Sequence, residues 1–152
     1  MSFSPEKYQG RWYEIGKYPF YFEQDCSSAT ADYIYRPDSK IIDVTNTCYD
    51  ETGQPIKADH AVAWPNPEYK STPNSAFFRI RFDKYPQFES DYIVLDTDYN
   101  SYALVGSINK TTYWVLSRTP QVSRSMLNLL IEKTEVYGYE PHLVLMNNNI
   151  LY

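Results

Sequence analysis

The chain has no run of Lys and Arg, although 14 of them stand against 19 Asp and Glu in 152 residues. At a formal charge of −5 it offers no basic stripe for nucleic-acid phosphates, and electrostatic docking on anionic lipid is disfavoured for the same reason. No stretch approaches the ~20 consecutive apolar residues of a membrane-spanning helix. The first residues, Met1-Ser2-Phe3-Ser4-Pro5-Glu6-Lys7, have neither the basic n-region nor the apolar h-region of a secretory signal peptide. Two expectations remain: a cytoplasmic protein, or a mature chain carrying an added Met. There is no internal repeat and no low-complexity tract.

Catalytic vocabulary is scarce as well. His60 and His142 lie far apart, with no metal-ligand spacing. The sequence has no Cys-x-x-Cys, no Gly-rich phosphate loop and no nucleophile elbow. Asp96-Thr97-Asp98-Tyr99-Asn100 imitates the start of a calcium-binding EF-hand loop. The positions that need Gly and Glu are Ser101 and Ser107, and the segment reads as a turn between strands. Asn109-Lys110-Thr111 fits a glycosylation acceptor, relevant only in a eukaryotic secretory setting. With no metal, no cofactor and no catalytic constellation expected, binding becomes the default function.

What is present is aromatic surface: 17% of residues, sixteen of them Tyr. Tyr suits strands and joins an apolar body to a polar tip, so it serves a core or a binding wall. The whole chain, 1–152, reads as a single domain. Period-2 alternation and β-branched or aromatic runs predict strands near 11–18, 28–36, 40–49, 57–64, 76–83, 91–97, 101–107 and 112–118. Pro, Gly, Asn and Asp punctuate the breaks. Such regular spacing points to an all-β up-and-down barrel or a sandwich. One segment departs from it: Ser123 as N-cap, an apolar face of Leu127, Leu130, Ile131 and Thr134, and Gly138 as the stop. This helix must bury its stripe against the outside of the sheet. His142 to Met146 reads as a short final strand, and the Asn-rich end as frayed.

Cys26 and Cys48 flank a predicted hairpin whose tip is Arg36-Pro37-Asp38-Ser39-Lys40. Folding about Asp38-Ser39 brings the two within a few residues of register, so a disulfide is geometrically reasonable; two buried thiols are the alternative. A disulfide implies an oxidising compartment.

Three separated segments converge in an up-and-down barrel. Gly10-Arg11-Trp12 opens the first strand, Thr97-Asp98-Tyr99 turns between the sixth and seventh, and Arg118 ends the eighth. All lie at one end, where Arg118 can sit over the Trp12 ring as a cation–π pair. Together they resemble the lipocalin family in order and spacing. Gly10-Arg-Trp-Tyr-Glu-Ile15, Thr30-Ala-Asp-Tyr33, Asn46-Thr-Cys48 and Tyr113-Trp-Val-Leu-Ser-Arg-Thr-Pro120 look most like its bacterial outer-membrane and apolipoprotein D branch.

The resemblance, which runs from about residue 8 to residue 146, implies an eight-stranded antiparallel barrel closed at Trp12, with one C-terminal helix packed outside. It implies binding and transport or sequestration of a small hydrophobic ligand such as a fatty acid or lysophospholipid, without enzymatic activity. Counted on the family's pattern, Trp12, Ala31, Tyr33, Tyr35, Ile42, Val44, Phe78, Ile80, Phe82, Tyr92, Val94, Ala103, Val105, Trp114 and Leu116 face inward. Ala61-Val62-Ala63-Trp64 reads in either register, with Trp64 expected at the rim as a ligand contact. Tyr33, Tyr35 and Tyr92 are expected to offer hydroxyls to a carboxylate or ester head group. Arg79 and Arg81 fit an outward charged row. Anchoring to a membrane would need an N-terminal Cys that is not visible here. Two other readings are an enzyme on the same barrel using a thiol or Tyr, and a membrane-protective protein of the cytosol. The expected location is extracytoplasmic (periplasm, outer membrane or secreted) if a signal peptide has been removed, and cytoplasmic otherwise.

Overall fold

The computed structural model describes residues 2–18, 26–141, 143–145 and 150–151. After a short helix α1 (Pro5–Tyr8) come β1 (Gly10–Lys17), β2 (Ser28–Arg36), β3 (Ile41–Tyr49), β4 (Pro55–Pro65), β5 (Ala76–Phe82), β6 (Ser90–Thr97), β7 (Tyr102–Gly106) and β8 (Tyr113–Ser117). Each strand pairs with the next antiparallel, and β8 pairs back onto β1, closing the ring. The eight strands fall where alternation predicts, with ends shifted by a residue or two. β2 and β3 zip symmetrically about the Asp38-Ser39 turn, Ser28 opposite Tyr49 and Arg36 opposite Ile41.

A bulge interrupts β1 between Glu14 and Gly16. Before it β1 pairs with β2, and beyond it the same edge is taken by β10 (Val144–Leu145), opposite Gly16 and Lys17. The expected final strand is thus present in part; His142 and Met146 lie outside the described residues. The end of the chain differs from the frayed expectation: β11 (Ile150–Leu151) runs parallel to β9 (Val122–Ser123). Neither two-residue strand is long enough to show a period.

Helix α2 (Arg124–Val136) follows directly. The Ser123 hydroxyl accepts the Met126 N–H at 3.1 Å, and Leu127, Leu130 and Thr134 are buried. They pack outside the barrel on Ile15, Leu104, Tyr113 and Val115, joined by Tyr139 beyond the helix. The interior holds a second cluster, including Phe3, Tyr8, Trp12, Tyr33, Val44, Ala61, Phe78 and Val105. Two cores therefore share one wall, and strand alternation decides which core each side chain joins.

Candidate functional site

The end of the barrel where β1 begins is sealed. Gly10 starts the strand at φ +102°, a backbone conformation open to glycine, and a Cβ there would lie 3.3 Å from the Arg118 guanidinium. That guanidinium stands 3.8 Å over the Trp12 ring. It donates to the carbonyls of Lys7, Tyr8, Gln9 and Arg11 at 2.9 to 3.0 Å and, through Nε, to that of Tyr99 at 2.9 Å. Trp12 Nε1 donates to Tyr8 O at 2.8 Å.

Opposite, the Thr97 hydroxyl donates to Tyr102 O and accepts from the Tyr99 N–H. The Asp98 carboxylate gathers the N–H groups of Asn100, Ser101 and Tyr102 together with the Ser101 hydroxyl. Burial works to raise the Asp98 carboxyl pKa, but those hydrogen bonds outweigh it and hold the carboxyl below its ordinary value. The calcium-like segment thus spends Asp98 on its own turn, while Asp96 faces outward to Lys133 and Tyr102.

Above this seal lies a cavity of about 410 Å³. Ala31, Val44, Ile80, Val105, Trp114 and Leu116 form its apolar wall, and Tyr33 and Tyr92 bound it below. At the far end it is lined by Asn46, Thr47, Cys48, Lys57, Asp59, Phe82, Lys84, Tyr85, Phe88, Ser90, Asp91 and Thr112. Phe88 is 65% exposed, so the cavity meets solvent at the β5–β6 turn. Cys48 is joined to Cys26. The disulfide therefore closes the β2–β3 hairpin and stiffens the cavity wall.

Of the residues expected to touch ligand, Tyr33, Val44, Ile80, Phe82, Tyr92, Val105 and Trp114 line this cavity. Tyr35, Phe78, Val94 and Ala103 do not; they pack lower, in the core around Trp12. The correction has a physical cause. Phe3 and Tyr8, from the segment ahead of β1, fill the closed half of the barrel, with the Phe3 ring 5.3 Å from Tyr8 and 5.9 Å from Phe78. Trp64 is corrected more sharply. β4 pairs Ala61 with Phe82 and Ala63 with Ile80, so the alanines face in and Trp64 faces out, 5.6 Å from the Arg81 guanidinium. Arg79, also outward, pairs with Asp91 at 2.5 Å.

Sequence reasoning missed the polar part of the lining. Glu14 is 3% exposed and lines the cavity, two positions past the inward Trp12. Strand parity pointed to it, as it did to Asn46 and Lys57, but a search for apolar side chains passed over them. Tyr8 was missed too, and with it a row of phenols. Tyr8 and Tyr92 hydroxyls lie 2.7 Å apart, and the Tyr92 hydroxyl donates to that of Tyr33 at 2.5 Å. Burial pushes all three phenol pKa values up, so each keeps its proton. Among the described residues no group of three or more His, Cys, Asp and Glu could hold a metal ion.

Residues 4–148 match the family described as a lipocalin-like domain. The outer membrane lipoprotein Blc of Vibrio cholerae is 31% identical over 138 residues, covering 91% of this chain and 78% of that protein. Temperature-induced lipocalin-1 of Arabidopsis thaliana is 32% identical over 145 residues, covering 89% and 73%. Among solved structures, lobster apocrustacyanin A1 is similar with a TM-score of 0.69 at 18% identity, across 93% of this chain and 77% of that one. The amine-binding protein of Rhodnius prolixus, in its tryptamine complex, gives 0.66 at 15% identity, across 99% and 86%. At those identities the likeness to the solved structures is one of fold.

Proposed function

The chain belongs to the lipocalin family, and on that footing we propose that it is a carrier that takes up, and transports or sequesters, a small amphiphile of the fatty-acid or lysophospholipid class. The observation that carries this reading is the 410 Å³ cavity with an apolar wall and polar groups at its far end. An acyl chain lies against Ala31, Val44, Ile80, Val105, Trp114 and Leu116. Its head group stays at the end bounded by Lys57, Lys84, Asn46 and Ser90, where it keeps access to water. Burying the chain supplies the affinity, at about 25 cal/mol per Å² of apolar surface removed from water.

Two observations favour a carrier over an enzyme. Both cysteines are in the disulfide, so the thiol nucleophile considered from sequence is absent. The cavity phenols are held protonated by burial, which makes them poor bases. The disulfide also favours an extracytoplasmic location, in keeping with the outer membrane lipoproteins among the relatives.

Titrating intrinsic fluorescence with dodecanoic acid and with a lysophosphatidylcholine tests the proposal. Trp114 lines the cavity while Trp64 lies outside, so a Trp64→Phe variant removes background without touching the site. A saturable change with at least one ligand, abolished or shifted in Trp114→Phe, is expected. No saturable response to either ligand would overturn the reading.

A further inference from the structure

A second hollow opens at the sealed end of the barrel and shares no lining residue with the main cavity. Its volume is about 150 Å³. Three segments enclose it: the residues ahead of β1, the turn between β2 and β3, and the connection from β4 to β5. Phe3, Ala76 and Phe78 line it and are buried, so they form its inner wall. The Phe78 ring lies 6.5 Å from that of Tyr92, which bounds the main cavity on the other side. Nearer solvent, Tyr69 and Phe77 stack with ring centroids 4.5 Å apart. Tyr35, expected in the main cavity, lines this hollow instead.

The charge at the hollow has one sign. Lys40 is the only charged residue among those lining it. The ion pair of its hairpin joins Arg36 to Asp43, and among the described residues Lys40 enters none. The nearby acceptors are turned to the backbone: Ser71 Oγ accepts the Phe3 N–H at 3.4 Å, and Asn66 Oδ1 accepts that of Glu68 at 3.1 Å. Lys40 itself stands at φ +60°, its N–H donating to Arg36 O at 2.8 Å. That left-handed conformation costs any residue with a Cβ backbone energy that Gly escapes. A lysine held there, with its side chain on an aromatic hollow, fits the clustering of backbone strain at binding sites.

We propose that this hollow is a second binding site, for a small aromatic carboxylate of the benzoate class. An apolar cavity of about 150 Å³ accommodates one benzene ring. The ligand ring packs against Phe3, Phe78 and Tyr35, where aromatic contacts add to burial. Its carboxylate lies at the rim with the Lys40 ammonium, which favours an anion over a neutral amide. The site stands apart from the carrier reading: a main cavity that bound no acyl chain would leave it unaffected.

Titrating the ¹⁵N-labelled protein with sodium benzoate, benzamide and sodium acetate, and following backbone amide resonances, tests it. Benzoate is expected to give saturable shifts at Ser71, Tyr69 and Phe77, unchanged when dodecanoic acid is present. Benzamide keeps the ring without the charge, and acetate the charge without the ring. Each should bind at least about three-fold more weakly than benzoate, the worth of one exposed charge-assisted contact or of the ring's burial. Lys40→Gly should bring benzoate down to the affinity of benzamide and leave benzamide unchanged; glycine suits φ +60°, so the turn is kept. No saturable shift with benzoate, or benzamide bound as tightly as benzoate, would overturn the site. So would shifts that gather at Val105 and Trp114 and vanish with dodecanoic acid present. The comparison of the three probes on the unmutated protein does not depend on the variant.

Discussion

At the scale of single residues, Arg118 carries more of the closed end than any neighbour. It holds five carbonyls and covers Trp12, a use of the planar guanidinium fork that an ammonium cannot copy. Arg118→Lys is therefore expected to lower unfolding free energy by about 2–4 kcal/mol, from several charge-assisted hydrogen bonds lost together; urea denaturation measures it. Trp12→Ala should cost about 3–5 kcal/mol and leave the order of ligand preference unchanged, because its ring lies below the cavity. A stable variant with altered selectivity would contradict that placement. His60 gives a pH signature. Its ring stands 2.7 Å from Asp83 and 3.3 Å from Asp43, which raises its pKa above 6.5 chiefly through the Asp83 hydrogen bond. Because the folded value is the higher one, this contribution is complete below about pH 6.5 and is lost as pH rises through the raised value. The ring is 43% exposed, so the effect is small. Thermal midpoints across pH 6 to 9 should fall slightly more in the native protein than in His60→Gln. The seal was legible from three short motifs because each needs a residue of unusual shape or charge. Glu14 was not, since a buried acid breaks the apolar pattern by which an interior is recognised.

Elements show where pattern suffices and where it fails. Strands of seven to nine residues such as β2, β3 and β5 are long enough for alternation to fix both place and facing. β4 is different, because Ala61, Val62 and Ala63 are alike enough that only pairing with Ile80 and Phe82 settles which face is inward. Four-residue α1 carries a Ser4 cap and an early Pro5, but it is too short for a helical period and escaped notice. Yet it delivers Tyr8 to the phenol row, and Phe3, just ahead of its cap, enters the core. The union of β7 with the segment after α2 is tight. A Cβ on Gly106 would lie 2.3 Å from the Tyr139 hydroxyl and 2.7 Å from its ring carbon, and that hydroxyl bridges the backbone N–H and C=O of Ser107. Gly106→Ala is expected to destabilise by about 1–3 kcal/mol through overpacking. Tyr139→Phe should rescue it only in part, because the ring carbon remains. A double-mutant cycle in urea reads both.

On the scale of the whole molecule, the disulfide is the main covalent restraint on the barrel. Cys26 and Cys48 are 22 residues apart with Cα atoms at 5.3 Å, and Cys48 lines the cavity. Removing both as Cys26→Ser with Cys48→Ser is expected to cost about 2–4 kcal/mol and to loosen ligand binding as well, since the bridge is part of the wall. Unchanged affinity in a destabilised double variant would separate the two roles. That the strands close into a ring was legible only through the family resemblance carried by Gly10, Trp12, Asp98 and Arg118, because alternation alone fits a barrel or a sandwich. The division of the interior into a filled half and an open half was not, because it depends on side chains entering from outside the strands.

Arg118 also constrains the order of assembly. Its carbonyl partners in the N-terminal segment lie 107 to 111 residues earlier in the chain, and β8 closes the ring onto β1 over a comparable span. Contacts so remote in sequence form late and slowly. During synthesis the first seven strands emerge with β1 still open along one edge, and an open edge is a template for pairing with another chain. The nascent protein is thus most vulnerable to association just before its last strand appears. Pairing of β8 with β1 removes that exposure, and Arg118, the next residue, fastens the closure to the N-terminal carbonyls.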